Sequence, residues 1–529
     1  MTFSWSRRII APLALVSLAA CGGYAGMASP RVSPASTPSP SAFALPDAAE
    51  QPNTESYQRI DENPFLETSR NPLSTFGIDV DTASYSNVRR FLTKEGRLPP
   101  KDAVRIEELI NYFSYNYPAP QGSAPFSVTS HLTDCPWNPS HRLLRIGLQG
   151  KKVDLARLPP RNLVFLIDVS GSMNDPNKLP LVKGALKLLV DQLGENDRVA
   201  IVVYAGSEGL ALPSTPGHKK QDILQVLSNL EAGGSTNGGA GIRLAYRTAR
   251  ENFRPNGINR VILATDGDFN VGTSSPSDLE RLIEEERKSG VFLTVLGVGT
   301  GNVKDSTMER LADKGNGNYA YLDSMQEAKK VLVTQAGGTL VTIAKDVKLQ
   351  VEFNPKRVQA YRLIGYENRL LRAEDFRDDR KDAGDLGAGH SVTAIYEIVP
   401  PGSIAPTGAV DPLRYQSPTA ASPAADSTEL VTVKLRYKEP SETASKELVF
   451  VVPDRLTKLD TDADLQFVSS VAAFGMLLRG SEHKGAATYG LVRSLATAGK
   501  GPDREGYRAE FLRLVDLADK LTGIPVVTR

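Results

Sequence analysis

The chain of 529 residues has only two cysteines, two tryptophans and five histidines. No Cys/His spacing suits a structural zinc, and none of the histidines (131, 141, 218, 390, 483) lies in a motif that ties it to a serine. Gly-x-Ser-x-Gly, Gly-x-x-x-x-Gly-Lys-Ser/Thr and His-Glu-x-x-His are all absent. The stretch GVGTGN (297–302) follows an apolar run but has Asn302 where a dinucleotide fingerprint needs glycine, so it reads as a tight turn. Neither sign of charge is in surplus: Lys+Arg is 62 and Asp+Glu is 61. That balance, with no basic stripe, excludes the usual nucleic-acid binder. The apolar stretch Ile9–Leu18 is broken by Pro12 and too short to span a bilayer, and no apolar run of about 20 residues follows it.

What is present begins with a processing signal. Arg7 and Arg8 precede the apolar stretch, which ends in Leu18-Ala19-Ala20-Cys21. This end resembles a bacterial lipobox, which implies lipidation of Cys21 after removal of residues 1–20. Cys135 would then have no intramolecular partner, and it reads as a buried core residue. Gly22, rather than Asp, follows the cysteine, so the expected location is the cell envelope: a protein anchored by lipid in the outer membrane and facing the periplasm. Residues 21–75 are rich in Pro, Ser and Ala and read as a disordered tether.

Residues 76–123 show helical spacing in SYSNVRRFLTKEG and DAVRIEELINYF. Residues 124–160 turn to strand-like alternation. From 161 to 335, strand runs at 163–168, 198–204, 260–266, 291–298 and 318–322 alternate with helical patterns, which predicts a central, mostly parallel sheet with helices on both faces. Residues 340–453 are β-rich, with a Pro/Ala/Ser-rich loop at 401–428 expected to be disordered. Residues 456–529 read as three helices. Asp460-Thr461-Asp462-Ala463-Asp464 imitates a calcium loop but lacks its glycine and its last glutamate, so it reads as a helix cap.

Two stretches look alike. GIDVDTASYS (77–86) leads straight into an amphipathic helix, with Asp81 or Thr82 placed as N-cap and NPLSTF before it a poor buried strand. LIDVSGSMND (166–175) ends a buried strand instead, and puts Asp168, Ser170 and Ser172 at its carboxyl end, where ligands gather in open α/β sheets. GGSTN carries Thr236 and LATDGD carries Asp266 at comparable positions.

These five residues resemble the metal-ion-dependent adhesion site of von Willebrand factor A (VWA) domains, over about residues 160–335. The resemblance implies a Rossmann-like VWA fold in which Ser170, Ser172 and Thr236 hold Mg²⁺ (or Mn²⁺ or Ca²⁺), with Asp168 and Asp266 acting mainly through bound waters. Neutral hydroxyls leave the ion electrophilic, and the open position then takes an Asp or Glu of a protein partner. STFGIDVDTASYSNVRRFL, VRIEELINYFSYNYP and the last three helices resemble a family of bacterial lipoproteins that carry an N-terminal module, a VWA domain and a further C-terminal domain. The flanking β-rich segments (126–150 and 345–452) suggest a β-sandwich interrupted by the VWA domain. The expected protein is a binding module and not an enzyme. The alternatives are a hydrolase using the same ion, with Asp268 as base, and a structural envelope protein with a stabilising metal.

Overall fold

A computed structural model describes residues 53–154, 158–205, 208–234, 238–267, 275–407 and 421–523. Cys21, the signal segment, Thr236 and Asp268 lie outside the described residues, as do 408–420 of the 401–428 loop. Among the described residues no helix is long and apolar enough to cross a membrane.

The α/β domain is built on a six-stranded sheet ordered Tyr319–Leu322, Phe292–Val298, Ile258–Thr265, Arg161–Asp168, Arg198–Tyr204, Glu208–Pro216. The first five strands are parallel and the last is antiparallel. All eight residues of Arg161–Asp168 are buried because the strand feeds two cores at once. Leu163, Phe165 and Ile167 point into one core with Leu186, Ile262 and Leu332. Val164 and Leu166 point into the other with Ile242, Tyr246 and Met308. The two-residue period of a strand produces this split, and burial on both faces explains the continuous apolar run. The strand Glu208–Pro216 escaped the sequence reading for the opposite reason: it is an edge, interrupted by Gly209 and Pro213, with Leu210 exposed.

Arg161–Asp168 comes first in this domain yet lies between Arg198–Tyr204 and Ile258–Thr265. The chain therefore leaves it toward one side of the sheet and later returns to the other. Such a switch point opens a crevice at the carboxyl end of the strand, where Asp168 sits.

Two further sheets enclose a common core that includes Phe76, Leu144, Ile146, Leu349, Phe353, Tyr396 and Val433. One runs Leu66–Glu67, Ala360–Ile364, Ser391–Val399, Arg142–Gly150, Phe126–Asp134. The other runs Leu370–Leu371, Leu73–Gly77, Thr342–Phe353, Glu429–Lys438, Ser445–Pro453. Strands from before and after the α/β domain thus form one sandwich, as the sequence pattern implied.

Four expectations are corrected. Folded chain begins well before residue 76, because Leu66–Glu67 and Leu73–Gly77 pair into the two sheets. NPLSTF is accordingly no poor strand: Ser74 to Gly77 are buried against Thr342–Phe353. Thr82 does stand at the N-cap of helix Ala83–Thr93, but its side chain makes no capping bond. Asp81 instead accepts a bond from the Tyr319 backbone N–H at 2.9 Å. The N-terminal and C-terminal helical segments are also not separate: Val88, Leu109 and Phe113 share one core with Phe467, Phe474 and Phe511. The Asp462 reading holds, its carboxylate accepting from Leu465 N–H at 2.9 Å at the start of helix Ala463–Arg479. Cys135 is buried, and burial pushes its thiol well above the usual range.

Candidate metal centre

Asp168 ends its strand fully buried. Its Oδ1 accepts the Ser170 backbone N–H at 2.9 Å, which folds the chain back over the strand end. Its Oδ2 accepts the hydroxyls of Tyr204, at 3.3 Å, and Thr265, at 3.2 Å. Tyr204 is the register partner of Asp168 on the neighbouring strand, and Thr265 ends the strand on the other side. Three neutral donors fix the carboxylate without neutralising it. Burial, with repulsion from Asp266, raises its pKa to about 6 against the lowering effect of the Ser170 bonds.

Ser170 Oγ and Ser172 Oγ lie 3.1 Å apart. Adjacent oxygens around an octahedral Mg²⁺ with bonds of about 2.1 Å are separated by about 3 Å, so the pair is spaced as two cis ligands. The turn that presents them is tied to the GGSTN segment: Gly171 N–H donates to Gly234 O at 3.0 Å and Gly233 N–H to Val169 O at 2.7 Å. The residues just before Thr236 are therefore fastened to the Asp168 loop.

Asp266, also fully buried, follows Thr265 at the end of the next strand. Gly267 then turns with φ +92°, and a Cβ there would lie 2.6 Å from Lys304 N, so this turn requires glycine. Of the five predicted residues the structure thus describes four, Asp168, Ser170, Ser172 and Asp266, all at the strand ends of the switch point. Two hydroxyls and two buried carboxylates, one of them held by neutral donors, fit a hard divalent cation.

Sequence reasoning missed the residues that hold this set. Tyr204 and Thr265 become partners of Asp168 only through strand register. Lys178, whose Nζ lies 3.1 Å from Asp266 Oδ2, stood in plain view at the start of the apolar helix stripe. The look-alike motif has an outcome of its own: Asp79, Glu108 and Glu309 bring carboxylate oxygens within 4.8 Å of one another. Arg369 pairs with Asp79 at 3.0 Å and with Glu309 at 3.1 Å, and Arg105 with Glu108 at 3.1 Å and Glu309 at 2.9 Å. This cluster is an ion-pair lattice tying the N-terminal helices, the α/β domain and the sandwich together.

Comparison with known proteins now decides the family. The von Willebrand factor type A domain profile matches residues 162–334, and a profile described as the C-terminal part of YfbK matches 338–521. A third, described as von Willebrand factor, matches 51–145. YfbK of Escherichia coli (strain K12) is 45% identical over 480 residues, covering 89% of this chain and 82% of that protein. The chain belongs to the YfbK family. Its α/β domain is a VWA domain. Beyond this family, human inter-alpha-trypsin inhibitor heavy chain H4 is 29% identical over 161 residues, covering 29% of this chain and 17% of that protein. Among solved structures, a von Willebrand factor type A protein from Catenulispora acidiphila aligns with a TM-score of 0.39 and 17% identity, covering 75% of this chain and 91% of that one.

Proposed function

We propose that this YfbK-family protein is a lipid-anchored envelope component whose VWA domain binds a protein partner through a divalent metal ion. The observation that carries the reading is the hydroxyl pair 3.1 Å apart beside two fully buried carboxylates at the switch point of the sheet. Ser170 and Ser172, with Thr236, would hold the ion through uncharged oxygens. Asp168 and Asp266 would act through waters, Asp168 kept in place by Tyr204 and Thr265. The ion supplies an electrophilic position, and a side-chain carboxylate of the partner suits it best. Mg²⁺ is the expected ion, with Mn²⁺ or Ca²⁺ able to replace it. Donors around Asp168 that are all neutral support a site meant for a cation, because they orient the carboxylate and leave its charge unmatched.

Cys21 as the lipidated residue, and residence in the outer membrane facing the periplasm, belong to the same proposal and are supported by the order of the N-terminal residues. The test is capture of partners from envelope extract by wild-type protein and by Thr236→Ala, each with Mg²⁺ and with EDTA. A partner held only by wild type in Mg²⁺ is the expected result. One retained equally under all four conditions contradicts the metal bridge.

A further inference from the structure

Lys178 is a lysine that the fold has gone out of its way to bury. It sits just ahead of helix Leu179–Asp191, where its backbone carbonyl starts the helix by accepting from Val182 N–H at 2.9 Å. Its side chain is 5% exposed, and its Nζ lies 3.1 Å from Asp266 Oδ2 and 3.2 Å from Asn302 Oδ1. Asp175 Oδ2, 4.0 Å away, is mostly exposed.

The passage for this side chain is built from the opposite wall. Gly299 has φ +84°, and a Cβ there would lie 2.5 Å from Lys178 Cε, so only glycine leaves room for the stem. The wall itself is pinned. Thr54 N–H donates to Gly301 O at 2.6 Å, Gly301 N–H to Glu55 Oε1 at 2.7 Å, and Ser56 N–H to Val303 O at 3.0 Å. Tyr321 OH donates to Gly299 O. Glu55 is fixed in turn by Arg90 at 2.9 Å. Asn302 is thereby held in position as the second acceptor for the lysine.

Asp168 and Asp266 are both fully buried. Two buried carboxylates without a cation are costly, and a divalent ion that leaves would expose that cost. We infer that Lys178 is a resident stand-in cation: its ammonium occupies Asp266 when no divalent ion is bound, so that the metal centre can empty and refill without the domain losing its fold. Metal occupancy is then a reversible switch for partner binding and not a structural requirement. The inference rests on the metal reading above and adds a named residue to it.

The test compares wild type, Lys178→Met, which keeps the apolar stem, and Lys178→Met/Asp266→Asn. Mn²⁺ affinity is measured by calorimetry, and melting temperature in saturating Mn²⁺ and in EDTA. Removing a cation beside the incoming ion should tighten Mn²⁺ binding by roughly tenfold. The melting shift between EDTA and Mn²⁺ should at least double in Lys178→Met, because the metal-free form alone loses its counter-charge. The double variant should recover the melting temperature in EDTA, which a purely packing role for the lysine would not allow. Folding of Lys178→Met only in Mn²⁺, with the double variant folding without it, is the same result in stronger form. Wild-type affinity and wild-type shift in Lys178→Met overturn the inference and leave the metal reading standing, and so does a double variant as unstable as the single one. No Mn²⁺ binding by wild type or by Lys178→Met overturns both.

Discussion

Tyr204 shows what a single residue contributes to this centre. Its ring ends a buried strand, and its hydroxyl holds Asp168 Oδ2 at 3.3 Å without bringing charge. Partners of this kind typically tune metal affinity by about 10–100-fold, since they set ligand orientation. Tyr204→Phe should therefore weaken Mn²⁺ binding by about tenfold, read by titration, with the melting temperature in EDTA little changed. An unaltered affinity would mean that Thr265 and the Ser170 N–H orient Asp168 unaided. At this scale the sequence displayed the candidate ligands and was silent about the residues that hold them. Asp168, Ser170, Ser172 and Asp266 announce themselves by spacing within short segments. Tyr204 and Lys178 act across strands and across 88 residues of chain, respectively, and no local pattern marks such contacts.

Among the elements, legibility followed burial. The five parallel strands are buried on both sides and read as unbroken apolar runs. The edge Glu208–Pro216 does not, because Gly209 and Pro213 interrupt it and Leu210 is exposed, and the short strands Leu66–Glu67 and Leu73–Gly77 do not, because their pairing comes from partners hundreds of residues away. The helical segments at the two ends of the chain each showed amphipathic spacing, but that spacing cannot say that they face each other.

Where the N-terminal helices meet the α/β domain and the sandwich, the contact includes the Asp79–Glu108–Glu309 ion-pair cluster, and its pH dependence has a definite sign. Burial is the largest influence on Glu309 and, with repulsion from Asp313, raises its pKa to about 7 against the pull of Arg105 and Arg369. Its folded pKa is thus above the unfolded value. Below about pH 4.5 the group is protonated in both states, and as pH rises toward 7 the unfolded chain releases the proton first, so this group costs stability over that window. Glu309→Gln should lose less stability than wild type between pH 5 and pH 8, by about 1–3 kcal/mol, measured as urea midpoints at the two values. Parallel losses in the two proteins would show that the arginines fully compensate the charge.

The described residues form a VWA domain inserted between the strands of a sandwich and clasped by helices that precede and follow it in the chain. The insertion leaves the carboxyl ends of the central strands to form the candidate metal centre, while residues 54–56 close on the loop behind it. The candidate centre and residues 54–56 therefore share one wall, the loop that carries Asn302. The proposed metal bridge requires Ser170 and Ser172 as ligands of the ion. Calorimetric titration of Mn²⁺ into wild-type protein and into Ser170→Ala/Ser172→Ala, with folding of both checked by circular dichroism, tests it most directly. One site in wild type and none in the double variant is the expected result. Equal Mn²⁺ binding by the two would contradict it.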